Sequence, residues 1–125
     1  MGLERDDLIA FVSTTDPERA RRFYEEVLGL EVRSESYFAL VFDANGTMLR
    51  VTRVDELVSA PYTLLGWEVA DIAQRVGDLS GRGVAFLRFE GMNQDALGIW
   101  TTPGGDRVAW FKDPDGNTLS VTQFA

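Results

Sequence analysis

Arg50 and Glu68 are the residues whose type and setting point most directly at chemistry, because each is a charge inside a stretch that reads as a strand, Thr47 to Val54 and Tyr62 to Val69. A guanidinium offers a planar fork to a carboxylate or a phosphate. It is equally suited to an internal ion pair, and Glu68 is the natural partner, since a buried charge must be matched. Glu68 is in turn a candidate general base, or only the carboxylate that satisfies a neighbouring arginine. The rest of the chemical repertoire is narrow. The chain has no His and no Cys, so Ser-His-Asp and Cys-His nucleophilic arrangements, Cys-ligated zinc and imidazole-bound metals are all excluded. Catalysis would fall to carboxylates, tyrosines, Lys112 or a cofactor.

Composition sets the wider bounds. The 125 residues fit one domain, or two small modules sharing a core, and 45% hydrophobic with 26% charged residues is ordinary for a globular chain. A formal charge of −8 disfavours nucleic acid and anionic membrane surfaces, both of which select basic faces. No apolar run approaches the roughly 20 residues of a membrane span, and the acidic start lacks a signal-peptide core. A cytoplasmic location and a small-molecule partner are the expectations.

The elements that must position these residues come as a repeat. Asp43-Ala-Asn-Gly-Thr-Met-Leu-Arg-Val-Thr52 lies under Asp113-Pro-Asp-Gly-Asn-Thr-Leu-Ser-Val-Thr122, with Asp, Gly, Leu, Val and Thr coinciding at a spacing of 70 residues. Both read as a hairpin turn entering a strand. Ahead of the first copy, Leu8 to Val12 reads as a strand. Thr15-Asp-Pro-Glu18 then opens a helix, either through a Thr15/Glu18 capping box or with Asp16 as cap and Pro17 first in the helix. Ala20, Phe23, Tyr24, Val27 and Leu28 form its apolar stripe, and Gly29 ends it.

Strands at 31–33, 37–42 and 47–54 complete a βαβββ module over residues 7–54. The stretch 55–61 is a connector, and a second module spans 62–125. There Asp71 caps a helix, and strands are expected at Tyr62 to Val69, Ala85 to Phe89, Asp106 to Phe111 and Thr118 to Gln123. The helix caps are 55 residues apart and the hairpins 70, so about 15 residues, around Gly91 to Gly105, are extra. Their aromatic and aliphatic content suits an ordered loop, with Gly91 to Leu97 as a lid.

The helix Asp16-Pro-Glu-Arg-Ala-Arg-Arg-Phe-Tyr-Glu-Glu-Val-Leu-Gly-Leu30 and the hairpin Phe111-Lys-Asp-Pro-Asp-Gly-Asn-Thr-Leu119 together resemble the vicinal oxygen chelate superfamily, which includes glyoxalase I, extradiol dioxygenases and bleomycin-resistance proteins. The resemblance covers residues 8 to 124. It implies an α+β fold, with two βαβββ modules forming an incompletely closed eight-stranded mixed sheet around a ligand cavity, and frequently a homodimer. It also implies metal ligands on the first and last strand of each module. Those positions here are Ile9, Arg50, Leu64 and Ser120. Two aliphatic residues, a cation and a hydroxyl make no metal site, so neither metal nor cofactor is expected.

With position 50 facing the cavity, strand alternation adds Met48, Thr52, Ile9, Phe11 and Ser13 to that wall, and Leu64, Gly66, Glu68, Thr118, Ser120 and Thr122 from the second module. Phe38, Tyr62 and Trp100 belong near its mouth, whereas Trp67, Trp110 and Phe111 read as core. The ligand-binding set is therefore Arg50, Glu68, Ser120, Phe11, Met48, Thr118, Phe38 and Trp100. The reading that follows is a metal-independent binder of a small organic molecule in the cavity or a dimer groove. The alternatives are an enzyme with a non-standard carboxylate site drawn from Glu68, Glu90 or Asp95, and a structural or regulatory dimer.

Overall fold

A computed structural model describes residues 2–125. The chain divides into two compact units, Met1–Val58 and Ser59–Ala125. Each holds a four-stranded mixed sheet and one helical segment, so the fold is α+β.

In the first unit the strands are β1 (Ile9–Thr14), β2 (Glu31–Glu35), β3 (Ala39–Ala44) and β4 (Thr47–Arg53), in the sheet order β1-β4-β3-β2. β1 runs parallel to β4, and the remaining pairs are antiparallel. The crossover from β1 uses α1 (Pro17–Arg21), which continues as a π-helical segment, Arg22–Val27. Asp16, not Thr15, is the cap. Its carboxylate accepts the Arg19 N–H at 3.2 Å while Pro17 occupies the first turn, where a missing N–H costs nothing. Helix residues Ala20 and Tyr24 are buried, and the Tyr24 ring meets Phe42 at 5.9 Å. The Phe42 face of the sheet is thus the helix face. Leu40, Leu49 and Val51 share it and are buried with Phe42. Residues of the opposite parity, among them Phe11, Val41 and Arg50, lie on the face away from the helix.

The second unit repeats this plan with β5 (Thr63–Glu68), α2 (Ile72–Gly81), β6 (Trp100–Thr101), β7 (Arg107–Lys112) and β8 (Thr118–Gln123), in the order β5-β8-β7-β6. Asp71 caps α2 by accepting the Gln74 N–H at 3.2 Å, and its backbone angles nearly match those of Asp16. Ile72, Val76 and Leu79 form the buried stripe of α2.

Two differences from the sequence expectation matter for function. Ala85 to Phe89 does not form the sixth strand. Only Phe86 bridges to Phe111, with the Leu87 N–H donating to the Trp110 carbonyl at 2.8 Å. The chain then loops out and returns to the same edge of β7 as β6. The extra residues are inserted within the edge strand rather than after it. The loop supplies its own partners, which is why its backbone can leave the ladder. The Gln94 carboxamide accepts from the Phe89 N–H at 2.8 Å and donates to the Leu87 and Gly98 carbonyls at 2.9 Å. The Asp95 carboxylate accepts the Leu97 and Ile99 N–H groups, and the Arg88 guanidinium donates to the Asp95 and Ala96 carbonyls. Gly91 to Leu97 is consequently a self-bonded loop anchored to the edge of its own sheet.

The second difference is a slide of one residue. The β3–β4 hairpin closes at the Ala44–Thr47 pair around Asn45-Gly46, both at positive φ. The β7–β8 hairpin closes at Lys112–Thr118 around a five-residue turn. Pro114 stands where Ala44 does and has no N–H for a closing pair. Instead Asp113 accepts the Asp115 and Asn117 N–H groups and the Asn117 side-chain amide, and the turn widens. A one-residue slide exchanges the faces of a strand. Phe111 is buried under α2 as expected of a core residue, but Trp110 lies on the other face, opposite Ser120.

Candidate functional site

The helix-free face of the first sheet is built by register. Across one row Phe11 of β1, Arg50 of β4 and Val41 of β3 stand side by side, and in the next row Ile9, Met48 and Asp43 do the same. These strands alternate because the aliphatic and aromatic residues on the other face, Leu40, Phe42, Leu49 and Val51, bury under the helix, which obliges the intervening positions to face away from it. The result is an apolar surface with Phe11 58%, Ile9 42% and Met48 41% exposed. Arg50 is partly buried in its middle. It makes no hydrogen bond, ion pair or ring contact among the described residues. The one carboxylate on the neighbouring strand of that face, Asp43, has both oxygens occupied. Oδ1 accepts the Gly46 N–H at 2.9 Å and Oδ2 the Arg33 guanidinium at 3.2 Å.

The helix-free face of the second sheet has a different character. Gly66, Ser120 and Trp110 form one row. Ser120 is only 6% exposed, and its hydroxyl has no hydrogen-bond partner among the described residues. No fully enclosed polar side-chain atom among them lacks a partner, so this hydroxyl must reach solvent. The opening is at Gly66, where a β-carbon would stand 2.9 Å from Ser120 Oγ. The Trp110 ring flanks the recess and is itself held by Phe89, at 5.4 Å edge-on, and Trp100, at 6.2 Å.

The expected site residues separate by these rows. Phe11, Met48 and Arg50 come together on the first sheet, and Ser120 and Trp100 share a face on the second. Glu68 ends β5 beside Thr122, exposed and without a partner among the described residues. Thr118 is on the expected face, but its hydroxyl donates to the Ala60 carbonyl at 3.3 Å, which ties down the connector. Phe38 precedes β3 at the parity of Leu40, opposite to that of Arg50, and packs against Tyr37 while 73% exposed. Gly66 and Trp110 gain a place that their sequence reading as wall and core did not give them. The pointer to Trp110 was Pro114, whose missing N–H slides β7.

A second concavity, an open groove of about 490 Å³, is lined by Thr15, Asp16, Pro17, Glu18, Glu35, Ser36 and Arg53. Three of its four charges are already matched, and the fourth, Glu18, is exposed. Asp16 caps α1, Glu35 pairs with Arg21, and Arg53 lies 4.5 Å over the Tyr37 ring. No group of three or more carboxylates is placed to hold a metal ion among the described residues. Asp95, one of the carboxylates considered for such a site, is consumed by its loop. The residues at the four positions where the resemblance implies ligands supply no donor set for a divalent cation, so a metal does not fit there.

The sequence pattern of the Glyoxalase/Bleomycin resistance protein/Dioxygenase superfamily matches residues 8–121. No curated protein sequence matches the chain. Among solved structures, a glyoxalase family protein from Bacillus anthracis aligns with a TM-score of 0.77 at 15% identity, covering 100% of this chain and 99% of that one. Lactoylglutathione lyase from Agrobacterium tumefaciens gives 0.73 at 15% identity over 95% and 93% of the two chains. A superfamily member from Sphaerobacter thermophilus gives 0.72 at 24% identity over 94% and 95%. At these identities the likeness is one of fold. With the matched pattern spanning nearly all of its length, the chain belongs to the glyoxalase/bleomycin resistance protein/dioxygenase superfamily.

Proposed function

We propose that this protein binds a small organic molecule on the helix-free sheet surface without help from a metal ion. The observation that carries the reading is Arg50, a partly buried cation in an apolar surface with no partner among the described residues. Its guanidinium reaches solvent, because no fully enclosed polar side-chain atom among the described residues lacks a partner, so it is open to a ligand, and ligand sites set a few such polar groups in apolar surroundings. The four positions of the implied metal site, filled by Ile9, Arg50, Leu64 and Ser120, support independence from metal. On the second unit, taken by itself, the Ser120 hydroxyl has no hydrogen-bond partner among the described residues and stands beside Gly66 and Trp110, a separate point of ligand contact.

The same reading includes a homodimer and a ligand taken up without turnover. A thermal-shift screen of small organic acids, amines and neutral aromatics, run with and without EDTA, tests it. Binding at one hundred times Kd raises stability by about 2.7 kcal/mol, a shift of several degrees for a domain of this size. The shift should persist in EDTA. Shifts that appear only with added Mn, Ni or Zn would overturn the proposal, and sedimentation equilibrium tests the dimer.

A further inference from the structure

We infer that the ligand at Arg50 is a monoanionic organic carboxylate with an apolar body. This rests on the preceding reading and adds the chemical class. The charge arrangement supplies the class. In the first unit Arg21 is matched by Glu25 and Glu35, Arg33 by Glu31 and Asp43, and Arg53 by the Tyr37 ring. Arg5 and Arg22 are also unmatched among the described residues but lie exposed, whereas Arg50 is unmatched and partly buried. Asp43 sits one row away on the adjacent strand, but its two oxygens are held by Gly46 and Arg33. A guanidinium in this position presents parallel N–H donors, the geometry a carboxylate accepts in bidentate fashion.

The surroundings select further. Phe11 and Val41 flank Arg50 in its own row, and Ile9 and Met48 continue the surface. A strongly hydrated inorganic anion gains nothing from that surface, whereas an aromatic or aliphatic body attached to the carboxylate buries area against it. A cation is repelled by the unmatched guanidinium. The overall charge of −8 opposes anions at long range, most of all multiply charged ones, but is screened beyond about 8 Å at physiological salt. A single carboxylate on an apolar body meets all of these conditions.

Benzoate, its uncharged near-isostere benzamide, and inorganic phosphate separate the possibilities. Each is titrated into the full-length protein while the Arg50 Nε–H signal and the backbone amides are followed by ¹H–¹⁵N NMR. Benzoate should shift the Arg50 side-chain signal saturably, at least tenfold more tightly than benzamide or phosphate. Arg50→Gln should lose that preference, and Arg50→Lys should retain part of it. The wild-type contrast between benzoate and benzamide needs no variant to fold. Equal binding of the two, phosphate binding as tight as benzoate, or an unchanged preference in Arg50→Gln would overturn the inference. If benzoate fails while neutral or cationic molecules still raise the melting temperature, the anion class is wrong and the binding function stands. If nothing binds, both are wrong.

Discussion

Gly66 and Ser120 are register partners on β5 and β8, and a β-carbon on Gly66 would lie 2.9 Å from Ser120 Oγ. Gly66→Ala therefore forces the serine hydroxyl to turn away or the strands to part. Overpacking of this kind costs about 1–3 kcal/mol, offset by about 0.4–1 kcal/mol from a less flexible unfolded chain. In a Ser120→Ala background the obstacle is gone and only the offset remains. Urea unfolding of the four proteins in a double-mutant cycle should give a coupling of about 1 kcal/mol or more. A coupling near zero would mean that the hydroxyl does not stand over Gly66.

The buried carboxylate of Asp113 holds its turn through the Asp115 and Asn117 N–H groups and the Asn117 amide. Its counterpart in the first hairpin, Asp43, is more exposed and accepts one backbone N–H. Asp113→Ala should cost about 2–4 kcal/mol, since hydrogen bonds to charged groups are worth about 1.5–3 kcal/mol and a buried amide would be left without a partner. Asp43→Ala should cost about 1 kcal/mol or less. Equal losses in chemical denaturation would show that the two turns are not the different structures described.

Gln94 joins three points of the inserted loop, at Leu87, Phe89 and Gly98. Gln94→Ala should raise hydrogen exchange at Phe89, Leu97 and Ile99 by at least tenfold while leaving the amides of β3 and β4 unchanged. Exchange that stays slow throughout the loop would remove Gln94 from its central place.

Much of this was legible in the sequence. Asp16 and Asp71 mark two helix starts, and the apolar alternation around Arg50 gives the correct face for all of β4, because a two-residue Asn-Gly turn fixes its register. Trp110 and Phe111 both read as core by residue type, yet neighbours on a strand take opposite faces, and Trp110 is the one that lies away from Leu119 and α2. Identical-looking hairpins differ by the width of their turns, and that width depends on Pro114 and on where the Asp113 carboxylate finds donors. The broken edge strand was hidden for a similar reason. Ala85 to Phe89 has strand composition, but the Gln94 and Asp95 side chains offer its neighbours better hydrogen bonds than a ladder, and composition does not record that competition. The absence of a partner for Arg50 was also out of reach, since the claim of Arg33 on Asp43 depends on the register of β3.

The claim that matters most is that a ligand occupies the Arg50 face with no metal present. Amide shift mapping of an EDTA-treated sample with benzoate, or with any stronger ligand from the screen, tests it most directly. The account predicts saturable shifts concentrated at Ile9, Phe11, Met48 and Arg50, with Tyr24 and the remaining helix-side residues unmoved. Shifts that appear only after a divalent metal is restored, or that centre on the helix side of the sheet, would contradict it.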